Sequence, residues 1–190
     1  MATRVETKVN GCPDYWEQAR ADLRYAMTLQ GAGDVDAALE AARRIVARVP
    51  GYGEAWAYIG NTLVTRKRRF ADGIAALELA TTLCADDAAV WYTLGWCREY
   101  AANALARPKG GKVQAADQHV GVDADTLYRQ ARDAMLHALT LDPEEGLRGD
   151  IEDILDVIAN VTIATKAART APAPACVHGM PTRSMSTPIG

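Results

Sequence analysis

Two groups of side chains in this chain have the types that bind metal ions. Asp117, His119, Asp123 and Asp125 crowd one polar stretch, and carboxylates with an imidazole can hold a divalent cation. Their spacing fits no calcium loop, because the regular alternation of ligands and the central glycine are missing. Asp125 is better explained as the cap of a following helix. Cys176 and His178, with Met180 close behind, offer softer ligands. Two or three such ligands on an extended segment make a weak site unless Cys12 or another chain completes it. A metal-handling role is the weakest of three functional readings, and the expectation is no metal and no cofactor.

Catalytic patterns are scarcer still. Gly110-Gly111-Lys112 lacks the preceding strand and the following Ser or Thr that a phosphate loop requires. No nucleophile elbow, zinc pattern or paired catalytic carboxylates stand out. His137 falls inside a helical pattern and reads as an ordinary surface or partly buried residue. The expectation is a protein that binds rather than catalyses.

Binding chemistry is better represented. Tyr92, Trp96 and Tyr100 recur every four residues, which places them along one stripe of a helix. Aromatic side chains of this kind anchor protein recognition; the competing expectation is that the stripe packs internally, against the insertion, the tail or the next helix. Arg66, Lys67, Arg68 and Arg69 form a basic run, and Arg107, Lys109 and Lys112 follow later. Such a rim could meet an acidic protein or nucleic acid. No aromatics interleave with it, which argues for a solvated turn and against nucleic acid.

The elements that must position these residues are helices. Asp14 with Glu17 makes a capping-box-like start before Tyr15 and Trp16. A first helix then runs to about Gln30, with Leu23, Tyr25, Ala26 and Leu29 as inward candidates. Gly31-Ala32-Gly33 breaks it, and Asp34 caps a second helix carrying Ala38, Leu39, Ala42, Ile45 and Val46 up to Pro50. The stretch from Gly53 to Asp87 predicts two antiparallel helices, one with Trp56, Ile59 and Gly60, the other with Phe70, Gly73, Ile74, Leu77 and Ala80. Trp91, Leu94 and Gly95 repeat the first of these patterns. An insertion of about residues 107–124 interrupts that unit, and Tyr128, Ala131, Met135, Ala138 and Pro143 complete it. A loop this long in a compact array is more often functional than neutral. Leu147, Ile151, Ile154, Leu155, Ile158 and Val161 then stripe one more helix, to about residue 166, with acidic residues toward its start.

Composition agrees. The chain has 190 residues, 49% hydrophobic, with net charge −3 and a single Phe. The apolar share is rich in alanine, which suits closely packed helices better than a β-sandwich. The N-terminus lacks an apolar signal core, no run is long enough to span a membrane, and the four cysteines form no CxxC pair. A cytoplasmic protein with reduced thiols is the expectation.

Trp56 and Trp91 are 91 − 56 = 35 residues apart, near the 34-residue period of tetratricopeptide repeats. On the Trp/Leu/Gly and Ala/Ala/Pro positions above, residues 19 to 143 resemble that family in about three units. Cys84-Ala85-Asp86-Asp87 departs from the family at the usual proline, and Arg98 stands where an aromatic is preferred. The resemblance implies an all-α, right-handed solenoid of helix hairpins with a C-terminal capping helix. The helical domain spans 14–166, between an N-terminal arm (1–13) and an extended C-terminal tail (167–190). It also implies a concave groove lined by the first helix of each unit, where Met27, Tyr58, Asn61, Tyr92, Trp96 and Tyr100 fall. Family members that clamp a C-terminal carboxylate place cations there. Here Asn61 matches, but Leu23, Ala57, Ala89 and Thr93 hold the positions that want cations. A carboxylate buried without a cation is costly, so a clamp is disfavoured. The expected function is a non-catalytic adaptor, assembly factor or chaperone holding a partner's peptide or helix. The alternative is a subunit of a larger complex, anchored by its two arms.

Overall fold

Alanine, leucine and isoleucine at helical spacing bury one stripe per helix, and each helix stops where the backbone is released. The computed structural model describes residues 15–106 and 120–170, the side chains of 163–170 excepted. Helix α1 (Tyr15–Gly31) buries Ala19, Leu23 and Ala26. Gly33, at φ +92°, takes the left-handed turn that follows, where a side chain would be strained. Asp34 then caps α2 (Val35–Arg48), its carboxylate accepting from the Ala37 N–H at 3.0 Å. Next come α3 (Gly53–Thr65), α4 (Phe70–Leu83), α5 (Ala88–Ala106), α6 (Ala124–Thr140) and α7 (Glu145–Thr170), with no strand among the described residues.

Hairpins are the building unit. A Cβ added to Gly60 would stand 2.7 Å from the Gly73 carbonyl oxygen, and one on Gly73 would stand 2.8 Å from that of Gly60. The backbones of α3 and α4 therefore cross almost in contact, and only hydrogen fits at either position. The next hairpin repeats the crossing: a Cβ on Gly95 would meet the Ala131 carbonyl at 3.1 Å and Met135 Cε at 3.0 Å. Gly95 thus plays the part of Gly60, and Ala131 that of Gly73. Thirteen residues separate the pair in one hairpin and 36 in the other, so the insertion lengthens the connection and leaves the crossing intact.

The two repeat tryptophans tie hairpin to hairpin. Trp56 Nε1 donates to the Pro50 carbonyl at 2.9 Å, and Trp91 Nε1 donates to that of Ala85 at 2.9 Å. Each indole reaches back six residues and satisfies a carbonyl of the turn leading into its own helix. Asp87 stands where a proline was expected nearby, and its carboxylate accepts from the N–H of Ala89 at 2.9 Å, fixing the start of α5.

Successive helices pack against one another from α1 to α7, and α3 also touches α5, as α5 touches α7. Odd-numbered helices therefore form one layer and even-numbered helices the other. This two-layer stack of hairpins is an α-solenoid, as the sequence predicts. One apolar cluster joins α1, α2 and α3, and a second runs from Val64 and α4 through α6 to Ile158.

Three details differ from expectation. Tyr25 is 59% exposed, because the buried stripe of α1 runs through Ala26 and a single residue rotates a side chain by a large part of a turn. The cap of α6 is Asp123, which accepts from Thr126 N–H at 2.8 Å, and Asp125 lies in the first turn. Helix α7 continues to Thr170. Asp14, the N-terminal arm, residues 171–190 of the C-terminal tail, the Cys12, Cys176, His178 and Met180 ligand set, Asp117, His119 and the bulk of the insertion lie outside the described residues.

Candidate interaction face on the odd-numbered helices

Polar links stitch the odd layer together. Tyr58 on α3 donates its hydroxyl to the Ala26 carbonyl of α1 at 3.1 Å, and Thr62 donates to Gln30 Oε1 at 3.1 Å. Asn61 Oδ1 accepts from the Cys97 thiol of α5 at 3.7 Å. Burial pushes that thiol up to about 12, so Cys97 is a structural hydrogen-bond donor and not a nucleophile. Tyr58 and Tyr92 are both held above the ordinary phenol range, chiefly by burial; for Tyr92 the nearby Asp150 of α7 adds to it.

The six residues assigned to a groove fall into two groups bridged by a third element. Met27, 50% exposed, stands beside the Tyr58–Ala26 contact on the α1 side. Tyr92, Trp96 and Tyr100 sit half-buried on α5. Asn61 connects the two through Cys97. The Trp96 and Tyr100 rings lie 5.8 Å apart, and Tyr100 meets Phe70 edge-on at 6.2 Å. Tyr92 and Trp96 also join an apolar cluster with Met135, Ala138 and Ile151, backed by Leu147, Ile154 and Leu155. The terminal helix thus covers one flank of the aromatic stripe.

The basic run is largely spent inside the molecule. Lys67 pairs with Asp36 at 2.6 Å, and Arg69 pairs with Asp72. Arg68 lies over the Phe70 ring at 5.2 Å and donates to the Tyr100 hydroxyl at 3.5 Å. Only Arg66 makes no such bond among the described residues and is exposed. Arg98, at the position that favours an aromatic, bridges three helices: it pairs with Glu78 of α4 at 2.6 Å and donates to the Gln130 carbonyl of α6 at 3.5 Å. Its Nε is buried without a partner. His137 packs its ring edge-on against Trp91 at 4.2 Å and is exposed.

One group escaped sequence reasoning. Glu99 is 7% exposed on α5 and accepts from Asn103 Nδ2, while Asn103 Oδ1 accepts from the Tyr128 hydroxyl of α6 at 2.7 Å. In the preceding hairpin the matching positions are Val64 and Phe70, both fully buried and apolar. The available signal was a glutamate 35 residues after a core valine. Burial raises the Glu99 carboxyl above its usual range, opposed in part by the bond from Asn103.

Neither a protein-family model nor a curated protein matches this chain. Among solved structures, the crystal structure of MamA protein is similar at 19% identity, covering 84% of this chain and 98% of that one. The TM-score between the two is 0.39. Among the described residues, no helix is long and apolar enough to cross a membrane, and no group of three or more His, Cys, Asp or Glu could hold a metal ion.

Proposed function

We propose that this chain is a protein–protein interaction module of the tetratricopeptide type, which holds a partner's peptide or helix against its odd-numbered helices. The observation that carries the reading is the unequal finish of the two ends of that layer. Tyr92, Trp96 and Tyr100 on α5 are half-covered, whereas Met27 on α1 keeps half its surface in water, one residue beyond the Ala26 carbonyl that binds half-buried Tyr58 of α3. Large apolar and aromatic groups framed by satisfied polar side chains are what protein anchors require. The pairing of Lys67, Arg68 and Arg69 within the fold argues against a basic rim as the main contact, and with it against nucleic acid. Adaptor, assembly-factor and chaperone roles all use such a face, and each is non-catalytic.

The test is affinity capture of a partner by the full chain, followed by titration calorimetry of the purified pair. Met27→Glu puts a charge where an apolar anchor is proposed, on a side chain that supports little of the core. The expected result is at least a tenfold weaker Kd with an unchanged circular dichroism spectrum. An unchanged Kd places the contact elsewhere and overturns the reading.

A further inference from the structure

We propose that α7 is a built-in occupant of a partner's seat on α5, and that an amphipathic helix with the same apolar spacing displaces it. The inference rests on the interaction reading above and names the kind of partner for the α5 end of the face. Three observations support it.

The first is position. Helix α5 packs on α3 and α4, and α7 packs on α5 and α6 in the same way. It therefore fills the slot for the next odd-numbered helix, yet no even-numbered helix follows it among the described residues. The face it covers, with Tyr92 and Trp96, is the one that an added helix would meet.

The second is thin anchoring. Of the eighteen α7 residues whose side chains are described, only Ile151 and Ile158 are buried. The fourteen-residue α4 buries seven. An element with few buried apolar side chains opens at a lower free energy than the array it caps.

The third is what lies along the seat. Tyr92, Trp96, Glu99 and Asn103 follow one another at the spacing of one helix side. Glu99 is buried and makes no ion pair with any described cation; Asn103 alone bonds it. A carboxylate buried without a cation is a cost to the folded array that a cationic partner would relieve. A helix carrying apolar residues at the spacing of Leu147, Ile151, Ile154 and Ile158, with a lysine or arginine reaching Glu99, would match the seat better than α7 does. Such a partner is a helix-in-groove ligand, recognised by its i, i+4, i+7 anchors.

The experiment uses the full chain and a fluorescent peptide of residues 144–162. In the wild type, hydrogen exchange followed by mass spectrometry is expected to show amides 147–158 exchanging at least tenfold faster than amides 59–64 of α3. Ile151→Glu should release α7, leave α1–α6 protected, and bind the peptide with a Kd at least tenfold below that of the wild type. Adding Trp96→Ala should abolish this gain. If Ile151→Glu unfolds the array, Val157→Pro supplies the release, since Val157 is exposed and proline breaks the helix from its outer side. Exchange of α7 and α3 in one global step overturns the proposal, as does a released variant that fails to bind the peptide. A wild-type dimer that Ile151→Glu dissolves would give the seat to a second copy and also overturn it. Met27→Glu reads the opposite end of the face, so the interaction reading stands or falls separately.

Discussion

A single carboxyl group sets an energetic asymmetry between two otherwise equivalent hairpins. Where the second hairpin buries Val64 against Phe70, the third buries Glu99 beside Asn103 and Tyr128. The Glu99 carboxyl is raised mainly by burial, with the Asn103 bond acting the other way. A raised acid binds its proton more tightly in the folded than in the unfolded chain, so ionised Glu99 opposes folding at neutral pH. The penalty is complete above the folded pKa, fades as pH falls through it, and is gone below the unfolded value of 4.5. Glu99→Gln keeps an acceptor for Asn103 without the charge. The variant should therefore resist urea better than the wild type at neutral pH, and the two midpoints should converge by about pH 4. Equal midpoints at both pH values would show that the carboxylate is solvated. At the same scale Cys97 is the opposite case: a fully buried thiol whose bond to Asn61 helps to join α3 to α5.

Among elements, the hairpin crossing leaves least room. A methyl group on Gly60 would press on Leu77 Cγ at 2.6 Å and on the Gly73 carbonyl at 2.7 Å. The carbonyl cannot rotate away as a flexible side chain could, so α3 and α4 must separate. Gly60→Ala should cost about 1–3 kcal/mol or more, read as a lower urea midpoint. This crossing was legible in the sequence, because Gly60, Gly73 and Gly95 recur at fixed distances from Trp56, Phe70 and Trp91. The buried stripes of α2, α4 and α6 were legible for the same reason, since each is set by local spacing. Tyr25 and Asp125 were misjudged by a fraction of a turn and by two residues, because helix phase and cap depend on where the chain enters the helix. The packing of α7 on Tyr92 and Trp96 joins residues more than fifty positions apart, and no local pattern records which side of α5 it covers. Arg98 is similar: only the stacked helices reveal Glu78 and the Gln130 carbonyl as its partners.

Among the described residues, two large apolar clusters share the α3–α4 hairpin, and a third, smaller one lies where α5 and α6 meet α7. Ala76, on α4, belongs to the cluster of α1–α3, and Leu77, next to it, belongs to the cluster that reaches α7. A linear array transmits damage only through neighbours. Ile45→Ala, in α2, should cost about 2–5 kcal/mol and show first as faster hydrogen exchange in α1 and α2, with α5 and α6 protected. Phe70→Ala, at the shared hairpin, should accelerate exchange in α3 through α6 together. A uniform response to Ile45→Ala would mean that the clusters fold as one cooperative block.

The tryptophans that lock the turns have a spectroscopic consequence. Trp56 and Trp91 donate to carbonyls six residues behind them at equal distances, but among the described residues only Trp91 has an imidazole edge at 4.2 Å, from His137. They are two near-identical lamps set one unit apart, and one of them carries a dimmer. Single-tryptophan versions would therefore time the loosening of each hairpin separately. The Trp91 signal alone should brighten when α6 leaves α5, turning emission intensity into a clock for the order in which the array comes apart.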